Sequence, residues 1–129
     1  MVLSALRKRH RDPRLVAWLN ATSSMDLYLS VVTIGEIEKG IAKQLRIDPP
    51  FAARLADWLD ATLRRYQGRI LPVDVAVARR WGRLADAQHH AGADLLIAAT
   101  ALEHGLTVVT RNIRHFTGTG ALLFDPLAA

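Results

Sequence analysis

Apolar residues fill almost every position from Leu95 to Leu102, and a stretch so uniform predicts a helix buried nearly all round. Gly105 is the residue type that ends such a helix in a left-handed conformation, and Leu106 to Val109 then predicts a buried strand. The helix opens on an acid, Asp94, and the strand's carboxyl end delivers Thr110, Arg111 and Asn112. A buried helix has little reason to begin with a carboxylate unless that end faces a crevice. These residues therefore mark a site as well as a core.

The rest of the chain punctuates in the same way. Pro13 opens a helix with Leu15, Val16, Trp18 and Leu19 on one side, ending at Asn20 and broken by Ser23-Ser24. Leu27 to Val32 is rich in strand formers, and Thr33 reads as an N-cap with Glu36 at capping-box spacing. That helix carries Ile34, Ile37 and Ile41 and should end before Pro49-Pro50. Phe51, Leu55, Trp58, Leu59, Thr62, Leu63 and Tyr66 form a helical stripe closed by Gly68. Ile70 to Val73 is a short strand, and Asp74 caps a helix bearing Val77, Ala78, Trp81, Leu84 and Ala85. Leu122 to Phe124 reads as a final edge strand before Pro126. Strands alternating with helices imply a mainly parallel sheet covered on both faces, a three-layer α/β domain over residues 1–129. The Phe51 to Tyr66 stripe exceeds what one small sheet needs, so Leu55, Trp58 and Leu59 are expected to line a groove for a partner helix or a dimer contact.

Composition narrows the setting. The 129 residues, 50% of them hydrophobic, suffice for one domain. No apolar run approaches the ~20 residues of a membrane span, and the cationic N-terminus lacks a following signal-peptide core, so a soluble cytoplasmic protein without membrane contact is expected. The absence of cysteine excludes disulfides and thiolate zinc sites and fits a reducing compartment. A formal charge of +5 and a pI near 10.4 favour polyanions or an acidic protein as partner. The densest basic cluster is Arg7, Lys8, Arg9, Arg11 and Arg14, followed by Arg64-Arg65, Arg79-Arg80-Arg83 and Arg111 with Arg114. Each of these is also compatible with a solvated face.

In a parallel sheet ligands sit outside the carboxyl ends of the strands, where Glu36, Asp94, Asn112 and Thr110 are expected to converge. Oxygen donors of this kind suit Mg²⁺ or Mn²⁺. Plainer roles compete residue by residue: a capping glutamate, an N-cap aspartate, a turn asparagine. His89-His90, Asp94 and His115 could suggest zinc, but the spacing matches none of the usual patterns. Gly118-Thr119-Gly120 is a turn, and neither a P-loop nor a Gly-x-Ser-x-Gly elbow occurs.

Taken in order, Leu27 to Gly40, Gly68 to Val73, Gly92 to Leu102 and Thr107 to Asn112 resemble the PIN-domain ribonucleases, specifically the VapC and FitB-like toxins of bacterial toxin–antitoxin pairs. The resemblance implies a PIN-like fold, usually dimeric, that cleaves RNA with one or two Mg²⁺ or Mn²⁺ ions. It also implies a cognate antitoxin that holds the protein inactive, and operator DNA bound only through that antitoxin. Carried onto this sequence, Glu36 and Asp94 become metal-binding acids, with Thr110 and Asn112 as supporting polar groups. Asn112 stands where many members have aspartate. Arg7, Lys8, Arg111 and Arg114 would then track RNA phosphates. Members open with an apolar strand ending in Asp-Thr-Asn, and this chain begins with Val2 to Lys8, which resembles the segment after that strand. The first strand and its aspartate are therefore expected to be missing, through a downstream start or a shortened form. Two functions stay open: a metal-dependent endoribonuclease, or a catalytically impaired module that binds RNA or an antitoxin. A nucleotide-binding doubly wound domain is weaker, since no glycine-rich fingerprint follows a strand.

Overall fold

The computed structural model describes residues 1–3 and 13–128. Arg7, Lys8, Arg9 and Arg11 lie outside the described residues. Five short strands, β1 (Val2–Leu3), β2 (Tyr28–Ser30), β3 (Ile70–Leu71), β4 (Val108–Val109) and β5 (Leu123–Phe124), form one sheet in the order β3-β2-β1-β4-β5. Every adjacent pair is parallel. Among the described residues five α-helices accompany them: α1 (Pro13–Ala21), α2 (Val31–Ile47), α3 (Pro49–Arg65), α4 (Val75–Gln88) and α5 (Ala93–His104).

The expected gap at the start of the sheet is corrected by β1. Val2 and Leu3 occupy the middle of the sheet, paired with Tyr28 and Leu29 on one side and with Val108 and Val109 on the other. The ladder needs both sides filled, and the Val2 N–H donates to Thr107 O while the Tyr28 N–H donates to Met1 O, each at 2.8 Å. Val2 is fully buried. No acid follows this strand in the sequence; Ser4 comes next. At the opposite, amino edge the Met1 α-amino group donates to Asp26 O at 2.9 Å. Burial lowers the pKa of that amine, against a raising effect of the Asp26 carboxylate.

Alternation along the strands sorts side chains onto two faces. Leu29, Val109 and Ile70 pack with Met1, Leu19, Tyr66, Trp18 and Trp58 on one face. Val2, Val108, Tyr28 and Leu123 pack with Ile97, Ala98, Ala101 and Phe116 on the other. The register agrees, since Leu29 pairs with Ile70 and Val108 with Leu123. Trp18 also meets Phe124 of the edge strand, ring centroids 5.7 Å apart.

Local signals decide the helix boundaries. Asp74 caps α4 through the Val77 N–H at 2.9 Å, as its position predicts. Gly105 ends α5 at φ 64°, again as expected. Thr33 does not cap α2. The Ser30 hydroxyl accepts from the Val32 N–H at 3.1 Å, so the helix begins three residues earlier and takes Val31 and Val32 out of the strand. Thr33 is buried inside the first turn, and Glu36 falls in the second, beyond a capping box. Asp94 is likewise not the cap of α5; Gly92 is, and Asp94 sits in the first turn. Leu55 and Leu59 are 7% and 1% exposed, taken up by the chain's own interior as α3 packs on α2, and Trp58 is partly buried. The apolar surface left by this hairpin lies at its junction, where Leu45 and Ile47 are exposed.

Two substitutions test these assignments by urea unfolding. Ser30→Ala should cost about 0.5–2 kcal/mol, the worth of an N-cap, and an unchanged midpoint would return the cap to Thr33. Leu59→Ala should cost about 2–5 kcal/mol as a buried cavity, whereas a residue reserved for a partner would leave the isolated chain's stability nearly intact.

Candidate functional site

The carboxyl edge of the sheet collects the polar residues singled out above. Glu36 reaches it because α2 starts at the end of β2, and it is exposed in the second turn. Thr110 and Asn112 follow β4 directly. Thr110 is 4% exposed, its N–H donates to Phe124 O at 3.0 Å, and its hydroxyl accepts from the Asn112 N–H at 2.9 Å. Asn112 then precedes a 3-10 turn, Ile113–Phe116, closed by the His115 N–H on Asn112 O at 3.0 Å.

Asp94 is brought to the same edge by a long-range contact. His115 Nδ1 lies 3.2 Å from Asp94 Oδ2, with side chains 60% and 38% exposed. The turn after β4 packs on α5, and α2 also contacts α5. A carboxylate in the first turn is favoured by the helix dipole, which places positive partial charge there. Arg111 and Arg114 are both exposed on the same turn. Other arginines have structural partners: Arg80 Nε pairs with Glu103 Oε1 at 2.6 Å, and Arg69 donates through Nε to Leu27 O at 3.1 Å.

Sequence reasoning treated His115 only as a fourth zinc ligand and missed it as the neighbour of Asp94. Its position three residues beyond Asn112, one 3-10 turn away, was the available signal. His89 and His90 are exposed, and His90 Nδ1 accepts the Gly92 N–H at 3.3 Å instead of turning to Asp94. Among the described residues no three His, Asp or Glu side chains gather into one metal cage. Glu36 and Asp94 are nevertheless a donor set that fits Mg²⁺ or Mn²⁺, since Mg²⁺ keeps several waters and is commonly held by one or two carboxylates plus substrate phosphate.

A model of the PIN domain matches residues 1–120. This chain belongs to the PIN-domain family. Toxin FitB of Neisseria gonorrhoeae is 35% identical to this PIN domain over 131 residues, covering 97% of this chain and 93% of FitB. VapC ribonuclease Y4jK of Sinorhizobium fredii is 33% identical over 135 residues, 97% and 92% of the two chains. The crystal structure of FitAcB from Neisseria gonorrhoeae superimposes with a TM-score of 0.85 at 33% identity, over 100% of both chains. The structure of FitAB bound to a DNA fragment superimposes at 0.83 and 31%, covering 100% of this chain and 97% of that one. The PIN-like α/β fold expected from the resemblance is thus present.

The bond between Thr110 and Asn112 supplies a test of how this edge is built. Thr110→Val keeps the shape and removes the acceptor, so it should cost about 0.5–1.5 kcal/mol in thermal or urea unfolding. No loss would mean that the turn is set by Phe116 packing alone.

Proposed function

We propose that this PIN domain is the toxin of a toxin–antitoxin pair and hydrolyses RNA phosphodiester bonds as a Mg²⁺- or Mn²⁺-dependent endoribonuclease. The observation that carries the reading is Asp94: an acid on the first turn of a buried helix, held at the edge where strands β2 and β4 end. The FitB and VapC relatives support the toxin and ribonuclease assignments. Asp94 and Glu36 would hold the divalent ion. When bound, such an ion lowers the pKa of a water and neutralises charge on a phosphodiester. Thr110 fixes Asn112 through its N–H, leaving the Asn112 amide to orient water or substrate at the crevice. Arg111 and Arg114, with Arg7 and Lys8, would bind RNA phosphates on either side of the scissile bond. Homodimerisation and capture by an antitoxin, through which operator DNA is engaged, complete the reading; the FitAB–DNA assembly supports it. No helix among the described residues is long and apolar enough to cross a membrane, and an RNA substrate would be met in the cytoplasm.

A second reading has its own observation. A site with fewer than three such donors, as among the described residues, would hold an ion weakly, which favours a module that binds RNA or an antitoxin and cleaves poorly. Titration with Mn²⁺ separates the two, because only the nuclease gains activity with the ion.

Asp94→Asn and Glu36→Gln remove charge with almost no change in shape. Each should lower cleavage of a single-stranded RNA by at least about 10- to 100-fold, with the melting temperature within a few degrees of the parent. Cleavage that persists in both variants, or in excess EDTA, would replace the nuclease by the binding module. Arg114→Ala should weaken RNA binding for all sequences and flatten the slope of log K against log salt by about 0.7. An unaltered slope would remove Arg114 from the phosphate track.

A further inference from the structure

We propose that His115 is the positioning residue of Asp94, holding one carboxylate oxygen so that the other is presented to a divalent ion; this rests on the metal-binding role of Asp94 given above. The contact joins residues 21 positions apart in sequence, with His115 Nδ1 on Asp94 Oδ2 at 3.2 Å. An exposed histidine near an exposed acid would mean little if the backbone beneath it were free to move. Here it is not. The next residue, Phe116, is 2% exposed and packs with Ile97, Ala98 and Ala101, the body of the helix that carries Asp94. On the far side of Phe116, the Thr119 hydroxyl donates to Phe116 O at 2.7 Å. Gln88 Nε2 at the end of α4 donates to Gly118 O at 2.9 Å. On the near side the His115 N–H is held by Asn112 O. The turn is therefore fastened to α4 and α5 at several points, and the imidazole is delivered to Asp94 by the fold.

The chemistry assigned to His115 is that of an outer partner. It contacts Oδ2, and Oδ1 is left for the ion; partners of this kind orient the carboxylate and typically contribute 10- to 100-fold in metal affinity. The role assigned to the imidazole is Nδ1–H donation to Oδ2, so an asparagine amide, whose nitrogen is attached at the same Cγ position as Nδ1, can replace it.

The test is Mn²⁺ binding by the full chain, read by electron paramagnetic resonance of free Mn²⁺, with RNA cleavage as a second readout. His115→Ala should weaken Mn²⁺ binding about tenfold, and His115→Asn should restore it to within about threefold, with melting temperatures unchanged in both. If His115→Ala binds Mn²⁺ as tightly as the parent or more tightly, the positioning role falls. If His115→Asn is as weak as His115→Ala, His115 acts through charge or direct ligation and the proposal falls as well. A parent chain that binds no Mn²⁺ overturns the metal reading of the site itself, a result distinct from either of these.

Discussion

A two-residue strand in the middle of a parallel sheet has to satisfy hydrogen bonds on both sides, and Val2–Leu3 carries that requirement here. Among the described residues no strand exceeds three residues, so the ladder they form is short and the faces must supply the stability. β1 lets them do so. It sets β2 and β4 two strand spacings apart, with Val2 buried among Val108, Ile97, Ala98 and Ala101 on one face. The starts of α2 and of the turn after β4 then fall on one edge with β1 between them. Glu36 comes from the first and Thr110 and Asn112 from the second, so the geometry of the site depends on the filling of this one position.

Several elements were legible because their signal is local. The uniform apolar run of α5, the Gly105 stop, the Asp74 cap and the closing edge strand each depend on residues adjacent in sequence. The failures share a different cause. Thr33 with Glu36 has the spacing of a capping box, and Ser30 outcompetes it because the sheet register ends at the Ser30–Leu71 pair. Val2–Leu3 resembled the segment after a strand, and the ladder made it the strand. In each case tertiary pairing overrode a correct local reading.

The contact between Asp94 and His115 was illegible for a related reason, since 20 residues and a complete strand separate the partners in sequence. Its energetic scale decides what kind of feature it is. An exposed pair of this type contributes about 0–1 kcal/mol, and a carboxylate in a first helical turn another 0.3–1. Burial of Phe116 beside it contributes several times more, since removing such a ring costs about 3–5 kcal/mol. The fold therefore does not need His115 for stability. What Phe116 stabilises is a placement: the buried ring anchors the turn on α5, and the neighbouring exposed imidazole is carried to Asp94 as a consequence. That division between a buried anchor and an adjacent polar side chain sets the imidazole against the Asp94 carboxylate while leaving both open to water.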